Sequence, residues 1–192
     1  MIIPWDKFEQ VLDAKHDKSW ERYCADWPEI RDRYDVTAAL VEGSKALDIG
    51  CGEGSLAYIL AYILGSRYIK ITGVDASITM IERAKELFGN LAHFQQEYAE
   101  NLPFENGEFN TVILGQTLEH VNNLQDTVRE ALRCLKPGGR LIVNVPATDK
   151  TPHGNHLRVF ATCEEMMSLF DGIEWQGYGR MYYYWFAWGK KL

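Results

Sequence analysis

Apolar residues along this chain follow two alternating rhythms. Five short, nearly continuous apolar runs read as buried strands: KALDIG at 45–50, YIKITGVD at 68–75, AHFQQ at 92–96, FNTVILG at 109–115 and RLIVNVP at 140–146. Between them apolar positions recur every three or four residues: Leu56, Ile59, Leu60, Ile63 and Leu64; Ile78, Ile81, Ala84 and Phe88; Leu124, Val128, Ala131, Leu132 and Leu135. That spacing places side chains on one face of a helix. Ser77 is placed to cap the second helix, and Pro137-Gly138-Gly139 to stop the third ahead of the strand at 140. Thr162 and Glu165 make a T-x-x-E capping box before Met166, Met167, Leu169 and Phe170. Two further strands are predicted at 174–179 and 182–189.

Alternating strands and helices imply an α/β fold, a mainly parallel sheet with helices on both faces. Too few residues separate the last two strands for a parallel crossover, so they must form a hairpin and one strand runs antiparallel. MYYYWFAW at 181–188 is bulky on both faces, which predicts a covered strand rather than an open edge. Residues 1–42 read as a helical segment. Trp5, Phe8, Val11 and Leu12 share one face, and Trp20, Tyr23, Cys24 and Trp27 another, with Pro28 as a helix terminator. These aromatics either close over a ligand or pack on the sheet. Without repeats or linkers, the expectation is one domain, the segment 1–42 leading into a core at 43–192.

At 192 residues with 46% hydrophobic and 24% charged positions, such a domain buries a core without help from disulfides. The net charge of −7, with no cluster of Lys and Arg, argues against a nucleic-acid backbone as partner. Cys24, Cys51, Cys134 and Cys163 form neither a CxxC pair nor a Cys/His cluster, so no metal site is expected. Free thiols, an N-terminus (MIIPWDKFEQ) without signal-peptide character and the lack of a run of roughly 20 apolar residues predict a cytoplasmic protein with no membrane span.

The chemistry concentrates in Asp48-Ile49-Gly50-Cys51-Gly52-Glu53-Gly54, between a strand and a helix. Alternate glycines let the backbone turn tightly and approach a ligand closely. Asp75 ends the next strand, where a carboxylate can accept hydrogen bonds from both hydroxyls of a ribose. Dinucleotides and S-adenosylmethionine both fit that geometry, and charge separates them. A pyrophosphate seeks a bare helix N-terminus, whereas Asp48 and Glu53 here would repel it. A ligand carrying an ammonium and a sulfonium suits such a loop. The spacing is also GxGxG rather than the GxGxxG of a dinucleotide site. Asp75 has an alternative role as a helix-capping acid.

DIGCGEGS, GVDAS, ENLPFENGEFNTVIL, QTLEHV and LKPGGRLIVNVP together resemble the successive motifs of class I S-adenosylmethionine-dependent methyltransferases, in particular the broad type 11 group of quinone, small-molecule and sugar enzymes. The resemblance covers residues 45–146. It implies a Rossmann-like three-layer sandwich with a seven-stranded, mostly parallel sheet and an antiparallel last strand. It further implies that Asp48, Gly50 and Gly52 line the methionine end of S-adenosylmethionine, with Cys51 between them as a small filler. Asp75 would take the ribose, and Ala76 and Ser77 would border the adenine. Members often carry Asp-Ala before the Leu-Pro-Phe segment, the acid binding the adenine amino group. Here that place reads Tyr98-Ala99, so Ala99 is left to offer backbone groups and Glu97 to substitute for the acid. Gln116 would face the methionine moiety.

Methyl transfer to a small-molecule acceptor, yielding S-adenosylhomocysteine, needs chiefly alignment, plus a base where the acceptor is a hydroxyl or ammonium. His120, which follows Glu119 at the end of strand four, is the first candidate base. His156, with His153 in the same loop, is the second. Glu119 and His120 read equally as a capping pair, and His153, His156 and Arg158 as a hydrogen-bonded loop. Three other readings stand beside the enzyme: a non-catalytic module that holds the cofactor or its product, an NAD-type oxidoreductase, and a nucleic-acid methyltransferase. The last lacks the Asn/Asp-Pro-Pro-Tyr/Phe loop, since Gly115-Gln116-Thr117-Leu118 stands there. A metal-dependent catechol-type enzyme needs clustered acids after strands four and five, which are not found. Without an inserted cap the site is expected to be open, which suits a bulky or carrier-bound acceptor, or closure by a homodimer.

Overall fold

The computed structural model describes residues 28–64, 69–147 and 156–192. The aromatic faces predicted from Trp5, Phe8, Trp20 and Trp27, together with Cys24 and His153, lie outside them.

Helix α1 (Pro28–Leu40) starts at Pro28, whose missing N–H is one the first helical turn does not use and whose fixed φ suits that turn. The preceding helix that Pro28 is expected to end lies outside the described residues. Strand β1 (Lys45–Ile49), helix α2 (Ser55–Leu64), strand β2 (Lys70–Asp75), helix α3 (Ile78–Phe88) and strand β3 (His93–Gln96) follow in alternation. Then come β4 (Phe109–Gly115), α4 (Leu124–Cys134), β5 (Leu135–Pro146), the short α5 (Cys163–Met167), β6 (Ile173–Met181) and β7 (Tyr184–Lys191). Polar side chains set the helix starts. Ser77 accepts from the Met80 amide, Asn123 from Asp126 and Thr162 from Glu165, while Glu165 reaches back to the Ala161 amide.

The seven strands form one sheet in the order β3-β2-β1-β4-β5-β7-β6. All neighbours pair in parallel except β7, which runs antiparallel to both β5 and β6. The bulky strand β7 is therefore interior, as its two-sided pattern predicted, and β6 forms the edge. Two boundaries differ from expectation. Pro137-Gly138-Gly139 does not separate helix from strand but bulges within β5, because Phe109 pairs with Leu135 and Thr111 with Arg140. The hairpin turns at Tyr182-Tyr183, with Tyr182 at φ 53°, rather than before Tyr182.

Alternate strand residues feed two cores. On one face Ile113, Ile142 and Phe186 meet Ala38, Leu60, Ile81 and Phe88 from α1–α3. On the other Val112, Leu114, Leu141 and Val143 meet Ala131 and Cys134 of α4 and Met166 of α5. Each of the Val, Leu, Ile, Phe and Met side chains among them contributes about 1.5–3 kcal/mol on burial. The chain winds outward from β1 to β2 and β3, then crosses to β4 and β5 on the other side. This reversal leaves a crevice at the C-terminal ends of β1 and β4, where open α/β sheets bind ligands.

Candidate functional site

The turn after β1 is built on positive φ. Gly50 sits at 78° and Gly52 at 53°, which L side chains rarely adopt. The Gly50 and Cys51 amides both donate to the Val74 carbonyl, at 2.8 and 2.9 Å, locking the turn to β2. A Cβ on Gly50 would stand 2.5 Å from Thr117 Oγ1, whereas one on Gly52 would meet open space on the cleft side. Asp75, at the end of β2, accepts from the Gly52 amide through one carboxylate oxygen and from the Ser77 amide through the other, both at 2.9 Å. The helix cap itself is Ser77, so Asp75 is not spent on that task.

An open cleft of about 580 Å³ lies above the strand ends. Of the residues singled out from the sequence, Gly50, Gly52, Asp75, Ala76, Tyr98, Ala99, Gln116 and His120 all border it, as does Glu97. Tyr98 is 61% exposed on its rim. Glu97 is steadied by the Gln95 side-chain amide at 3.5 Å. Asp48 and Cys51 instead line a smaller cavity of about 30 Å³ behind the glycine turn, with Gly50 as the shared wall. Burial and the nearby Asp48 and Asp75 carboxylates push the Cys51 thiol far up, in keeping with a filler role.

Arg33 of α1 shares that inner cavity with Asp48 and Asn144, and no sequence motif marked it. Its guanidinium lies 4.9 Å from the ring centroids of both Tyr34 and Tyr184, and its Nη1 is 3.5 Å from Asn144 Oδ1. Its Nε is buried without a hydrogen-bond partner. Asp48 is pushed up to about 7 by burial and by Asp75, against the pull of Arg33. A buried carboxyl and a buried guanidinium with an unpartnered Nε thus line one cavity behind the glycine turn.

Beyond β4 the backbone is strained. Gln116 takes φ 60°, held there by its amide on the Asn144 carbonyl at 2.9 Å and its side chain on Asn144 Oδ1 at 3.1 Å. Glu119 follows, 1% exposed, and neither of its carboxylate oxygens has a hydrogen-bond partner. Burial pushes it up to about 7, while Arg33 and Arg158 act in the opposite sense. His120 Nε2 stands 4.0 Å from Glu119 Oε1. His156 brings its ring edge-on to His120, centroids 4.9 Å apart. The two histidines chosen from the sequence, 36 positions apart in numbering, therefore meet. The loop of His156 is tied down by Leu157 donating to the Glu119 carbonyl and by Arg158 donating to the carbonyls of Leu118, Val121 and Asn122.

Comparison with known proteins agrees with this architecture. A family model described as "Methyltransferase domain" matches residues 47–143, just over half of the chain. The chain belongs to that family. The methyltransferase domain is 29% identical over 140 residues to a demethylmenaquinone methyltransferase of Staphylococcus epidermidis, covering 72% of this chain and 54% of the relative. The domain thus spans about half the length of the curated relatives it matches. Among solved structures it superposes on the [4+2]-cyclase SpnF with a TM-score of 0.69, at 26% identity, over 81% of this chain and 62% of that one. A SAM-dependent methyltransferase from Aquifex aeolicus gives 0.70 at 17% identity, over 84% and 89%, a likeness of fold.

S-adenosylmethionine is the cofactor of this class, and the residues present fit it. Its amino-acid end is a zwitterion, and the buried Asp48 and the unpartnered Nε of Arg33 offer one charge for each half. The Gly52 turn leaves open space where a side chain would stand, so a ligand in the cleft can approach the backbone there.

Proposed function

We propose that this domain transfers a methyl group from S-adenosylmethionine to a small-molecule acceptor at a hydroxyl oxygen or at a carbon or nitrogen activated for attack. The observation that carries the reading is the Asp75 carboxylate, fixed by the Gly52 amide at the cleft floor, with Asp48 and Arg33 behind the same turn. Each Asp75 oxygen keeps a lone pair for a ribose hydroxyl. Asp48 takes the ammonium and Arg33 the carboxylate of the methionine end. Ala76, Ala99 and Glu97 surround the adenine, Glu97 standing in for the acid absent at Tyr98. Gln116 faces the methionine moiety, its backbone held off the usual range to do so. When bound, S-adenosylmethionine supplies a methyl on sulfonium, whose departure needs no protonation. What the chain contributes is alignment and exclusion of water, worth several kcal/mol when reactants are held in attack geometry. His120 borders the acceptor end of the cleft, with His156 behind it.

The relative from Staphylococcus epidermidis supports an aromatic, quinol-like acceptor. The open cleft suits such a bulky molecule, or closure by a second copy of the chain. Among the described residues no helix is long and apolar enough to cross a membrane. A cytoplasmic single domain is part of the same proposal.

Calorimetric titration with S-adenosylmethionine and S-adenosylhomocysteine tests the reading. Micromolar binding, weakened at least tenfold in Asp75→Ala, is expected, followed by turnover on a reduced naphthoquinone. Binding without turnover on any acceptor would favour a module that only holds the cofactor. No binding by folded protein would sink the reading.

A further inference from the structure

Glu119 is an unusual residue for the inside of a protein. It is almost wholly buried, and both its oxygens are without hydrogen bonds, a state that costs several kcal/mol for a charged group unless something compensates. Its own backbone amide, then Arg33 and Arg158 from a distance, favour its charged form, but neither arginine donates a hydrogen bond to it. What converges on it are two imidazoles. One donor atom each from Glu119, His120 and His156 lies within 4.8 Å of the other two. A Glu–His pair acting as a base would be joined by a hydrogen bond of roughly 2.7–2.9 Å. The 4.0 Å gap here is too wide for that, and the second ring has no part in such a pair.

We propose that Glu119, His120 and His156 form a binding site for a first-row divalent cation, of the zinc or cobalt type, with an open position toward the cleft. Two imidazoles and a carboxylate are the donor set of three-ligand sites that keep a place for water or substrate. Ligands at roughly 2.1 Å from a tetrahedral ion stand about 3.4 Å apart, so an ion would draw these donors together by about an ångström. His120, with 40% of its side chain exposed, has room to move. The polypeptide already fastens the two halves. Leu157 and Arg158 bond to the backbone of residues 118–122, and this holds His156 opposite Glu119 and His120.

The site borders the cleft through His120, and its use there rests on the methyl-transfer reading. An ion at this place lowers the pKa of an acceptor hydroxyl brought against it. The hydroxyl proton passes to water, and the oxygen, or a ring carbon conjugated with it, forms the new bond to the methyl carbon. The carbon–sulfur bond breaks with its electron pair left on sulfur, giving the neutral thioether.

The test uses the full chain, stripped with a chelator and dialysed against Co²⁺ or Zn²⁺. The visible ligand-field spectrum of Co²⁺ reports coordination. One ion per chain is expected, Co²⁺ displaced by Zn²⁺, with affinity at least tenfold lower in Glu119→Gln and in His156→Ala. The second variant removes a side chain at a half-buried position and should keep the wild-type circular dichroism, which separates loss of a ligand from loss of fold. A folded wild-type chain that takes up neither ion, or one whose affinity survives both His120→Ala and His156→Ala, overturns the proposal. Cofactor binding is titrated on the same preparations. Cofactor bound without an ion rejects the cation site and leaves methyl transfer standing, whereas an ion bound without cofactor supports the site and removes the methyl-transfer reading.

Discussion

Asp48 shows how a single buried charge can oppose stability at a place where the proposed function gives it a ligand to hold. Burial and Asp75 raise it to about 7 in the folded chain, far above its ordinary value. A raised carboxyl favours the folded state fully only below its unfolded pKa, and the contribution is lost as pH climbs through the folded value. Relative to Asp48→Asn, the ligand-free wild type should therefore lose ground between about pH 4 and 7 and fall no further above that. Thermal melts of the two proteins from pH 5 to 8.5 check this; a gap independent of pH would refute it. The same variant should bind S-adenosylmethionine more weakly, because the ammonium loses its counter-charge. Asp48 was legible in the sequence through its place in the glycine motif. Arg33 was not. It sits in a helix without a clear apolar stripe, and it reaches the site only because α1 lies across the sheet and brings it to Asn144, 111 positions away.

One helix holds a long irregular segment in place. Glu130 of α4, though polar, is buried and accepts from the Leu102 amide at 2.8 Å. Arg133, one turn on, bonds to Glu130 and donates to the carbonyls of Leu102 and Phe104. The segment before β4 thus has its backbone groups satisfied by side chains rather than by a sheet. Arg133→Ala should cost about 1–3 kcal/mol, the usual penalty for stranding buried partners, and leave cofactor affinity nearly unchanged, since Leu102 and Phe104, which Arg133 holds, lie beyond residues 97–100, the part of the segment that borders the cleft. Urea unfolding with parallel calorimetry measures both. The Arg133 hydrogen bond holds the Glu130 carboxyl below its ordinary range. Its contribution is present above the unfolded pKa and lost as pH falls through the folded one. The stability gap between wild type and Glu130→Gln should accordingly shrink below about pH 4.5. At this scale the capping signals at Ser77 and Thr162 were readable because they act within a few residues. The bulge at Pro137-Gly138-Gly139 was not, since pairing with β4 decides whether that tripeptide ends a strand or interrupts it.

The molecule as a whole should respond to its ligand as a single unit. A cofactor that binds only the folded state adds about 2.7 kcal/mol at a hundred times its Kd. For a domain of this size, roughly 2–4 °C per kcal/mol, that raises the melting temperature by about 5–10 °C. Asp75→Ala, bound at least tenfold more weakly, should show at most about half that rise at the same concentration, read by differential scanning fluorimetry. The alternation of strand and helix, the closing hairpin, the glycine turn and Asp75 were determined by the sequence alone, because each is a local matter of periodicity, chain length or backbone freedom. The meeting of Arg33 with Asp48, the strain at Gln116 and the convergence of His156 on Glu119 and His120 were decided only by tertiary structure. Each joins segments far apart in the chain, and what places them is the winding of the sheet about β1 and β4, which no local pattern encodes.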